Sequence, residues 1–335
     1  MRQYGNGVNY NDRADDMKEH YYRDFGTWIR QRFPFRVQKL SINAGFSCPN
    51  RDGHFSTGGC IYCDNSSFSP SYCNKMKSIT EQLEEGKRFF SRKYPTMKYL
   101  AYFQSYTNTY ASIEKLKRLY SEAIHVDDVI GIAIGTRPDC VSEELLDYLA
   151  DLNKRSFVMV EYGVESANDD TLRRINRGHD FACALKAVKE TRQRGIMTGA
   201  HVILGLPGED EKESIRQAPL INAMRPDILK IHQMQIIQGT KLAHIYQDHS
   251  FKTYTINEYI RLIANYIQYI DKDIVLDRFV SQSPGKMLLA PKWGLKNHEF
   301  TALLNRYLEK EEIHQGDKCI NVSENSRSSS TVLQQ

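Results

Sequence analysis

The residues with the clearest chemistry are three cysteines near the amino terminus. Cys48 lies in the run Gly-Phe-Ser-Cys-Pro-Asn-Arg-Asp-Gly, and Cys60 and Cys63 lie in Gly-Gly-Cys-Ile-Tyr-Cys-Asp-Asn. Eleven residues separate the first two cysteines and two residues separate the last pair. Three thiolates on one loop can hold three irons of a [4Fe–4S] cluster, which leaves the fourth iron open to an external ligand. An open iron indicates an enzyme.

Two other uses of these thiols have to be weighed. A closed zinc site usually takes two well-separated pairs of ligands, and this loop has only one close pair. Cys73 or His54 could supply a fourth ligand, so a structural zinc site stays open as an alternative. A disulfide suits neither the spacing nor the opening residues, which have no apolar segment of the kind a secretory signal carries.

The loop resembles the cluster-binding loop of radical S-adenosylmethionine (SAM) enzymes, which carry an aromatic residue just before the last cysteine. Tyr62 fills that position. The long first gap is similar to that of the branch containing the elongator catalytic subunit. The Gly-Phe-Ser-Cys-Pro-Asn-Arg-Asp-Gly run is similar, more closely, to the small bacterial YhcC/YtqA-type radical SAM proteins. The likeness extends from about Val37 to about Trp293.

Composition indicates a globular protein. The 335 residues are 41% hydrophobic and 26% charged, and a net charge of +4 neither requires nor opposes a nucleic-acid partner. An odd number of cysteines, seven, fits a reducing compartment and metal use. No run of about 18 apolar residues is present, so we expect a cytoplasmic protein with no membrane partner.

Apolar segments alternate with helical patterns along most of the chain. After a predicted helix over Asp15–Arg32, the predicted strands are Lys39–Ile42, Tyr99–Gln104, Val129–Ile134, Phe157–Val164, Thr198–Leu204 and Ile228–Gln233. Such repeats predict a parallel sheet with helices outside it, closed as a barrel or part of one. The resemblance narrows this α/β fold to an open (βα)6 partial TIM barrel of the radical SAM type.

The predicted organisation has four parts. Residues 1–36 are a leader packed on the barrel, residues 37–240 the radical SAM core, residues 241–315 an α/β extension, and residues 316–335 a disordered tail. The extension is predicted to contain a helix over Thr255–Ile270, a strand over Val275–Val280, and a last helical stretch that starts at Ala290–Trp293 and ends near Ile313.

Polar residues follow several predicted strands, where barrel enzymes gather their sites. Ser105, Tyr106 and Thr107 occupy the place at which related barrels carry a glycine-rich turn that meets the methionine amine of SAM. This chain lacks those glycines, so the resemblance implies side-chain contacts instead. After the third strand, Arg137 and Asp139 are expected to pair with each other or with the cofactor.

The fourth and fifth strands carry the remaining candidates for SAM. The resemblance implies that Glu165 and Ser166, in Gly-Val-Glu-Ser, contact the ribose or methionine part of SAM. It implies that Arg177 grips the methionine carboxylate, for which a planar guanidinium is suited. His201 is expected to point into the barrel mouth as a further contact. The alternatives are a solvated Arg177 and a histidine buried in the core.

On the substrate side we expect His232, Lys292, Trp293 and Lys296, joined by the basic residues Arg173, Arg174 and Lys286. The resemblance implies that the chain reduces and cleaves SAM to a deoxyadenosyl radical and acts on the wobble uridine of tRNA. Flavodoxin or ferredoxin would supply the electron. The chain is too short for an acetyltransferase domain, so acetyl transfer is not expected. The alternatives are radical chemistry on a small metabolite or a protein, and a zinc-binding adaptor without catalysis.

Overall fold

The computed structural model describes residues 21–67, 69–91, 96–248 and 251–319. Within these ranges seven parallel strands form one sheet, and the order of the strands along the chain is also their order in space. They are β1 (Val37–Ile42), β2 (Lys98–Phe103), β3 (Val129–Thr136), β4 (Phe157–Glu165), β5 (Met197–Leu204), β6 (Ile228–Gln233) and β8 (Val275–Leu276). The sheet curls into a half-barrel, which confirms the predicted open barrel and adds a short seventh strand.

Ten α-helices are found in the described residues, most of them between consecutive strands on the outside of the sheet. They are α1 (Phe25–Arg32), α2 (Ile79–Ser91), α3 (Ile113–Ile124), α4 (Glu143–Asn153), α5 (Asp169–Arg174), α6 (Phe181–Gln193), α7 (Glu211–Met224), α8 (Lys241–Gln247), α9 (Ile256–Gln268) and α10 (Asn297–Lys310). Ser112, Ser142 and Asp210 cap α3, α4 and α7 by accepting a backbone N–H, as such residues commonly do. None of these helices has both the length and the apolar character needed to cross a bilayer.

The core lies between the sheet and its helices, and the strands are buried on both faces. Leu40, Phe103, Ile134 and Val160 are fully buried members of the main cluster, as expected for parallel strands covered by helices. The inner face of the sheet differs, because Glu161 and Lys230 stand there among the apolar side chains. An ion pair of 2.8 Å between Lys39 in β1 and Asp277 just after β8 joins the two edges of the sheet.

Three predicted elements need correction. The first helix starts at Phe25, because the Asp24 side chain accepts the N–H of Thr27 and caps it; residues 15–20 of the predicted helix lie outside the described part. The predicted strand Val275–Val280 shortens to Val275–Leu276. The predicted start of the last helix is wrong.

That last helix begins only at Asn297. Leu288–Ala290 instead forms strand β9, which pairs antiparallel with β7 (Ile236–Ile237). Neither this pair nor α8 was predicted. The predicted tail falls mostly on residues 320–335, outside the described part, and the division into four parts stays a prediction.

Candidate functional site

The three cysteines of the loop after β1 line one cavity of about 210 Å³. The same cavity is lined by residues that end or follow the strands of the sheet, namely Thr107, Thr136, Glu165 and Met234. The carboxyl ends of the strands are where barrel enzymes hold their chemistry. The three thiols therefore lie at the carboxyl-terminal edge of the sheet, beside the residues that follow its strands.

Backbone hydrogen bonds fix the cysteine loop to two neighbouring segments. The Ile61 N–H donates to the Ile175 carbonyl over 3.0 Å, and the Ile61 carbonyl accepts the N–H of Leu242 over 2.8 Å. Ile175 follows α5 and Leu242 lies in α8. The pair Cys60–Ile61 is thus held between two helices, so α8, which was not predicted, helps to position a cysteine.

Asn50, which the sequence reasoning missed, ties the loop to the turn that carries Arg177. Its Nδ2 donates to the carbonyls of Asn176 and Arg177 over 2.7 and 2.9 Å, and lies 3.7 Å from the Cys60 sulfur. The side chain is buried, and a Cβ added at Gly178 would come within 2.7 Å of its Oδ1. The only sequence signal was its place in the run Cys-Pro-Asn-Arg-Asp-Gly.

Nitrogen donors surround the thiols. Arg177 Nη1 lies 3.6 Å from the Cys60 sulfur, and Asn65 Nδ2 lies 3.5 Å from the Cys63 sulfur. Burial and the neighbouring Cys60 raise the pKa of Cys63 to about 11, because two thiolates repel each other at a site shielded from water. An iron–sulfur cluster removes that cost by binding the thiolates, and N–H donors to sulfur tune it. This donor set therefore fits a cluster.

The zinc alternative needs a fourth convergent ligand. Within the described ranges no three His, Cys, Asp or Glu side chains converge as the ligands of one metal ion would. The Cys73 thiol donates to the Ser41 carbonyl over 3.0 Å, and the His54 ring packs 4.7 Å from that of Phe55. Neither residue lines the cavity of the three cysteines. A cubane gives each thiolate its own iron, so its ligands need not meet at one point.

Arg177 is buried beside the cysteines, whereas its neighbours Arg173 and Arg174 are exposed. Its Nη2 donates to the Gly163 carbonyl over 2.6 Å and lies 3.7 Å from Glu165 Oε1. Burial alone would lower the pKa of Arg177, but the Cys60 sulfur and Glu165 outweigh it and raise the pKa. The Nε atom is buried and has no hydrogen-bond partner in the described ranges, so one donor is left for a ligand.

Arg137 holds the Arg177 turn in place. It is 2% exposed, donates from Nη1 to the Arg177 carbonyl over 2.7 Å, and pairs with Asp139 at 2.6 Å. Of the two expectations for Arg137 and Asp139, pairing with each other is the one observed. Arg137 also lines the cavity.

Glu165 and two histidines form a second group in the cavity. Glu165 ends β4 with φ of 68°, a left-handed conformation that is costly for a residue with a side chain and is typical of functional sites. Its Oε2 lies 3.0 Å from His201 Nδ1, and the rings of His201 and His232 are 4.5 Å apart. Burial opposes ionisation, yet His201 and Arg177 lower the pKa of Glu165 to about 2. Within the part of the chain that the structure describes, His201 Nε2 is buried without a hydrogen-bond partner.

The other predicted SAM contacts divide into two sets. Tyr62, Tyr106 and Thr107 line the cavity. Ser105 and Ser166 do not line it, since Ser105 Oγ lies 3.2 Å from Ser69 Oγ and Ser166 Oγ donates to Glu209 over 2.6 Å. All of these residues except Tyr62 follow the ends of β2 and β4, so the turns after the strands decide which side chains face the cavity.

Of the predicted substrate-side residues, only His232 lines the cavity. Its Nδ1 donates to the Gln233 carbonyl over 2.7 Å, and burial together with His201 holds its pKa well below the usual value, so the ring is neutral. The Trp293 ring stacks on Phe300 of α10 at 6.0 Å between centroids and lies 5.1 Å from the ring of Tyr259 in α9, so it packs between these two helices. Lys292 and Lys296 are exposed.

A buried charged network inside the barrel was also missed. Lys230 Nζ donates to Glu161 Oε1 over 2.7 Å and to the Tyr102 hydroxyl over 2.9 Å. Burial lowers the pKa of Lys230 to about 8 although Glu161 opposes that shift. The signal was present in the sequence, since each charge interrupts an apolar strand, Phe-Val-Met-Val-Glu and Ile-Leu-Lys-Ile.

Sequence comparison agrees with the resemblance. Residues 50–216 match the profile of the Radical SAM superfamily, and residues 226–310 match the Radical_SAM C-terminal domain. YtqA from Bacillus subtilis is 32% identical over 298 residues, covering 89% of this chain and 92% of YtqA. YhcC from Escherichia coli is 34% identical over 287 residues, covering 85% of this chain and 92% of YhcC.

More distant relatives carry a named activity. A tRNA uridine(34) acetyltransferase from Methanocaldococcus infernus is 26% identical over 202 residues, covering 59% of this chain and 36% of that protein. The solved structure of an N-terminally truncated Elp3 from the same organism superposes with a TM-score of 0.62 at 19% identity, covering 84% of this chain and 64% of that one. At that identity the superposition establishes the fold alone.

Proposed function

This chain belongs to the radical SAM superfamily, and on that premise we propose that it modifies the wobble uridine of tRNA by radical chemistry. The cofactors of the superfamily are a [4Fe–4S] cluster and SAM. Cys48, Cys60 and Cys63 would hold the cluster. The observation that carries the proposal is one cavity lined by these thiols, by Arg177 and by a pair of histidines.

Each group in the cavity has a task that its surroundings support. When bound, the cluster and SAM supply a deoxyadenosyl radical that can abstract a hydrogen atom from a substrate. Arg177 would bind the methionine carboxylate of SAM through Nε, a donor that has no partner among the described residues. Glu165 stays ionised between Arg177 and His201, so that His201 is oriented with Nε2 toward a ligand. Burial of these groups keeps water away from the radical.

The choice of tRNA rests on the relatives and on surface charge. One relative is named for acetylation of uridine 34 of tRNA, although it shares only part of its length with this chain. Lys286 is exposed three residues after Ser283, which lines the cavity. Lys296 is exposed and directly precedes Asn297, which lines a neighbouring cavity. These lysines could meet phosphates of an anticodon loop entering the barrel mouth.

Three residues expected on the substrate side are already engaged within the protein and are less suited to contact tRNA. Arg173 pairs with Asp170 in α5, and Arg174 donates to the Pro207 carbonyl over 2.7 Å. Trp293, which was expected on the substrate side, is engaged with Phe300 instead. The tRNA contacts are therefore assigned to the lysines after β8. Flavodoxin or ferredoxin remains the proposed electron donor.

The deciding experiment compares modified nucleosides in total tRNA from cells with and without the gene, by liquid chromatography and mass spectrometry. A change confined to uridine 34 is expected. Binding of an anticodon stem–loop is then titrated at two salt concentrations, because phosphate contacts weaken steeply as salt rises. Lys292→Ala with Lys296→Ala should weaken binding, whereas Lys154→Ala, an exposed lysine at the opposite end of β4, should not.

Two results would contradict the proposal. Unchanged tRNA nucleosides, together with stem–loop binding that ignores salt and both lysines, would indicate a small-molecule or protein substrate. Zinc without iron in the anaerobically purified protein would indicate a non-catalytic adaptor.

A further inference from the structure

A second cavity of about 340 Å³ opens beside the first, between the two edges of the half-barrel. Three basic side chains line it: Lys39 of β1, Lys230 of β6 and Arg278 just after β8. The two cavities adjoin each other, since both are lined by Tyr102, Gln104, Lys230, Arg278 and Ser281. A molecule could therefore extend from the outside, past these residues, toward the cysteines.

Two of the three cations are already neutralised. Lys39 pairs with Asp277 at 2.8 Å and Lys230 pairs with Glu161 at 2.7 Å. For Arg278, no carboxylate pairs with the guanidinium in the described part of the chain, and its Nε is buried without a hydrogen-bond partner. Arg278 is half-buried and lines the cavity, so a guanidinium without a counter-charge at this position favours an incoming anion.

The backbone presents Arg278 in a fixed position. Its carbonyl accepts the N–H of Ile231 over 3.0 Å, and the preceding Asp277 N–H donates to the Leu229 carbonyl over 2.9 Å. The segment is thus hydrogen-bonded along β6 in the manner of a strand. A side chain on such a rigid element loses little freedom when it binds a ligand.

We propose that Arg278 binds an acidic group of the substrate, a carboxylate or a phosphate, while the reacting end of the substrate lies in the first cavity. The planar guanidinium offers two parallel N–H donors to either anion. Ser281, Gln282 and Asn297 add hydroxyl and amide groups around the same cavity. The inference rests on the proposed function, in which the acidic group is either a phosphate of the target nucleotide or a substituent on its base.

The test measures binding of three probes to the anaerobic holoenzyme with SAM by titration calorimetry. Uridine 5′-monophosphate carries a phosphate, uracil-5-carboxylate carries a carboxylate, and uridine is neutral. The variants are Arg278→Gln, which removes the charge, and Arg278→Lys, which keeps the charge but loses the fork. Arg155→Gln removes an exposed arginine before β4 and is the matched control. Iron content and thermal unfolding show whether each variant is folded and loaded.

We expect at least one acidic probe to bind about tenfold or more weakly to Arg278→Gln, the loss typical of one hydrogen bond to a charged group. The affinity of Arg278→Lys for that probe should lie between those of the wild type and Arg278→Gln, and the affinity of Arg155→Gln should equal that of the wild type. Uridine should bind to all variants with the same affinity. A response to the monophosphate alone identifies a phosphate, and a response to the carboxylate alone identifies an acidic substituent on the base.

The proposal is overturned if neither acidic probe binds better than uridine, or if folded Arg278→Gln binds both as the wild type does. The test is separate from that of the tRNA proposal. If an anticodon stem–loop fails to bind while the acidic probes still depend on Arg278, the subsite stands and the tRNA assignment falls.

Discussion

Replacing Arg177 by glutamine tests the role of the buried guanidinium that lies beside the Cys60 sulfur. In the structure this side chain donates to the Gly163 carbonyl and approaches the Cys60 sulfur, and its buried Nε has no hydrogen-bond partner among the described residues. If Nε binds the carboxylate of SAM, Arg177→Gln removes one hydrogen bond between charged groups. Such a bond contributes about 1.5–3 kcal/mol, so SAM affinity should fall about 10- to 150-fold.

The assay is calorimetric titration of SAM into anaerobically reconstituted protein. The matched control is Arg173→Gln, which removes the same charge from the exposed face of α5. Iron content and the visible spectrum without SAM are recorded for both variants, because Arg177 lies near Cys60 and its loss could disturb the cluster itself. A variant that keeps its iron but loses SAM affinity supports the assignment.

Two outcomes would refute this reasoning. If Arg177→Gln retains its iron and binds SAM with the affinity of the wild type, Arg177 serves only to hold the Gly163 carbonyl and to neutralise Glu165. If Arg173→Gln loses affinity equally, the effect is a general loss of positive charge. Glu165→Gln, alone and combined with Arg177→Gln, separates direct binding from the coupling of the two side chains, since interacting residues show non-additive effects.

Three further predictions concern the cluster, the buried network and the close packing around Arg177. The wild type should contain about four iron atoms per chain; Cys60→Ala should abolish this iron, and Cys73→Ala should retain it. Iron analysis measures both variants, and a full iron content in Cys60→Ala would refute the assignment of the cluster ligands. Lys230→Met should lower the free energy of unfolding by about 3–5 kcal/mol, because it leaves Glu161 buried without its partner; urea unfolding measures this, and a loss under 1 kcal/mol would mean that water reaches the pair. Gly163→Ala places a Cβ 2.7 Å from Arg177 Nη2. This crowding should lower the free energy of unfolding by about 1–3 kcal/mol and weaken SAM binding. An unchanged melting temperature and SAM affinity would show that the neighbouring side chains move aside without cost.

Much of the barrel could be predicted because its signals are local. Buried parallel strands are continuous apolar runs, and Ile228–Gln233 has the predicted bounds. Capping residues such as Ser142 and Asp210 mark helix starts within one turn. The extension after β6 was predicted less well, since the pairing of Ile236 with Ala290 depends on segments far apart in sequence.

The three cysteines, the glycine-rich loop around them and the arginine twelve residues after Glu165 were visible in the sequence itself, because residue type and spacing carry that information. Which side chains share a cavity was decided by the tertiary structure. The turn after β4 directs Ser166 to Glu209 and away from the cavity, while curling of the sheet brought Lys39 of β1 to Asp277 beyond β8 and left Arg278 facing both cavities. The tertiary structure also decided which buried groups are charged. Burial raises the pKa of a carboxylate such as Glu161, and this group stays ionised inside the barrel only because cations from distant strands lower its pKa.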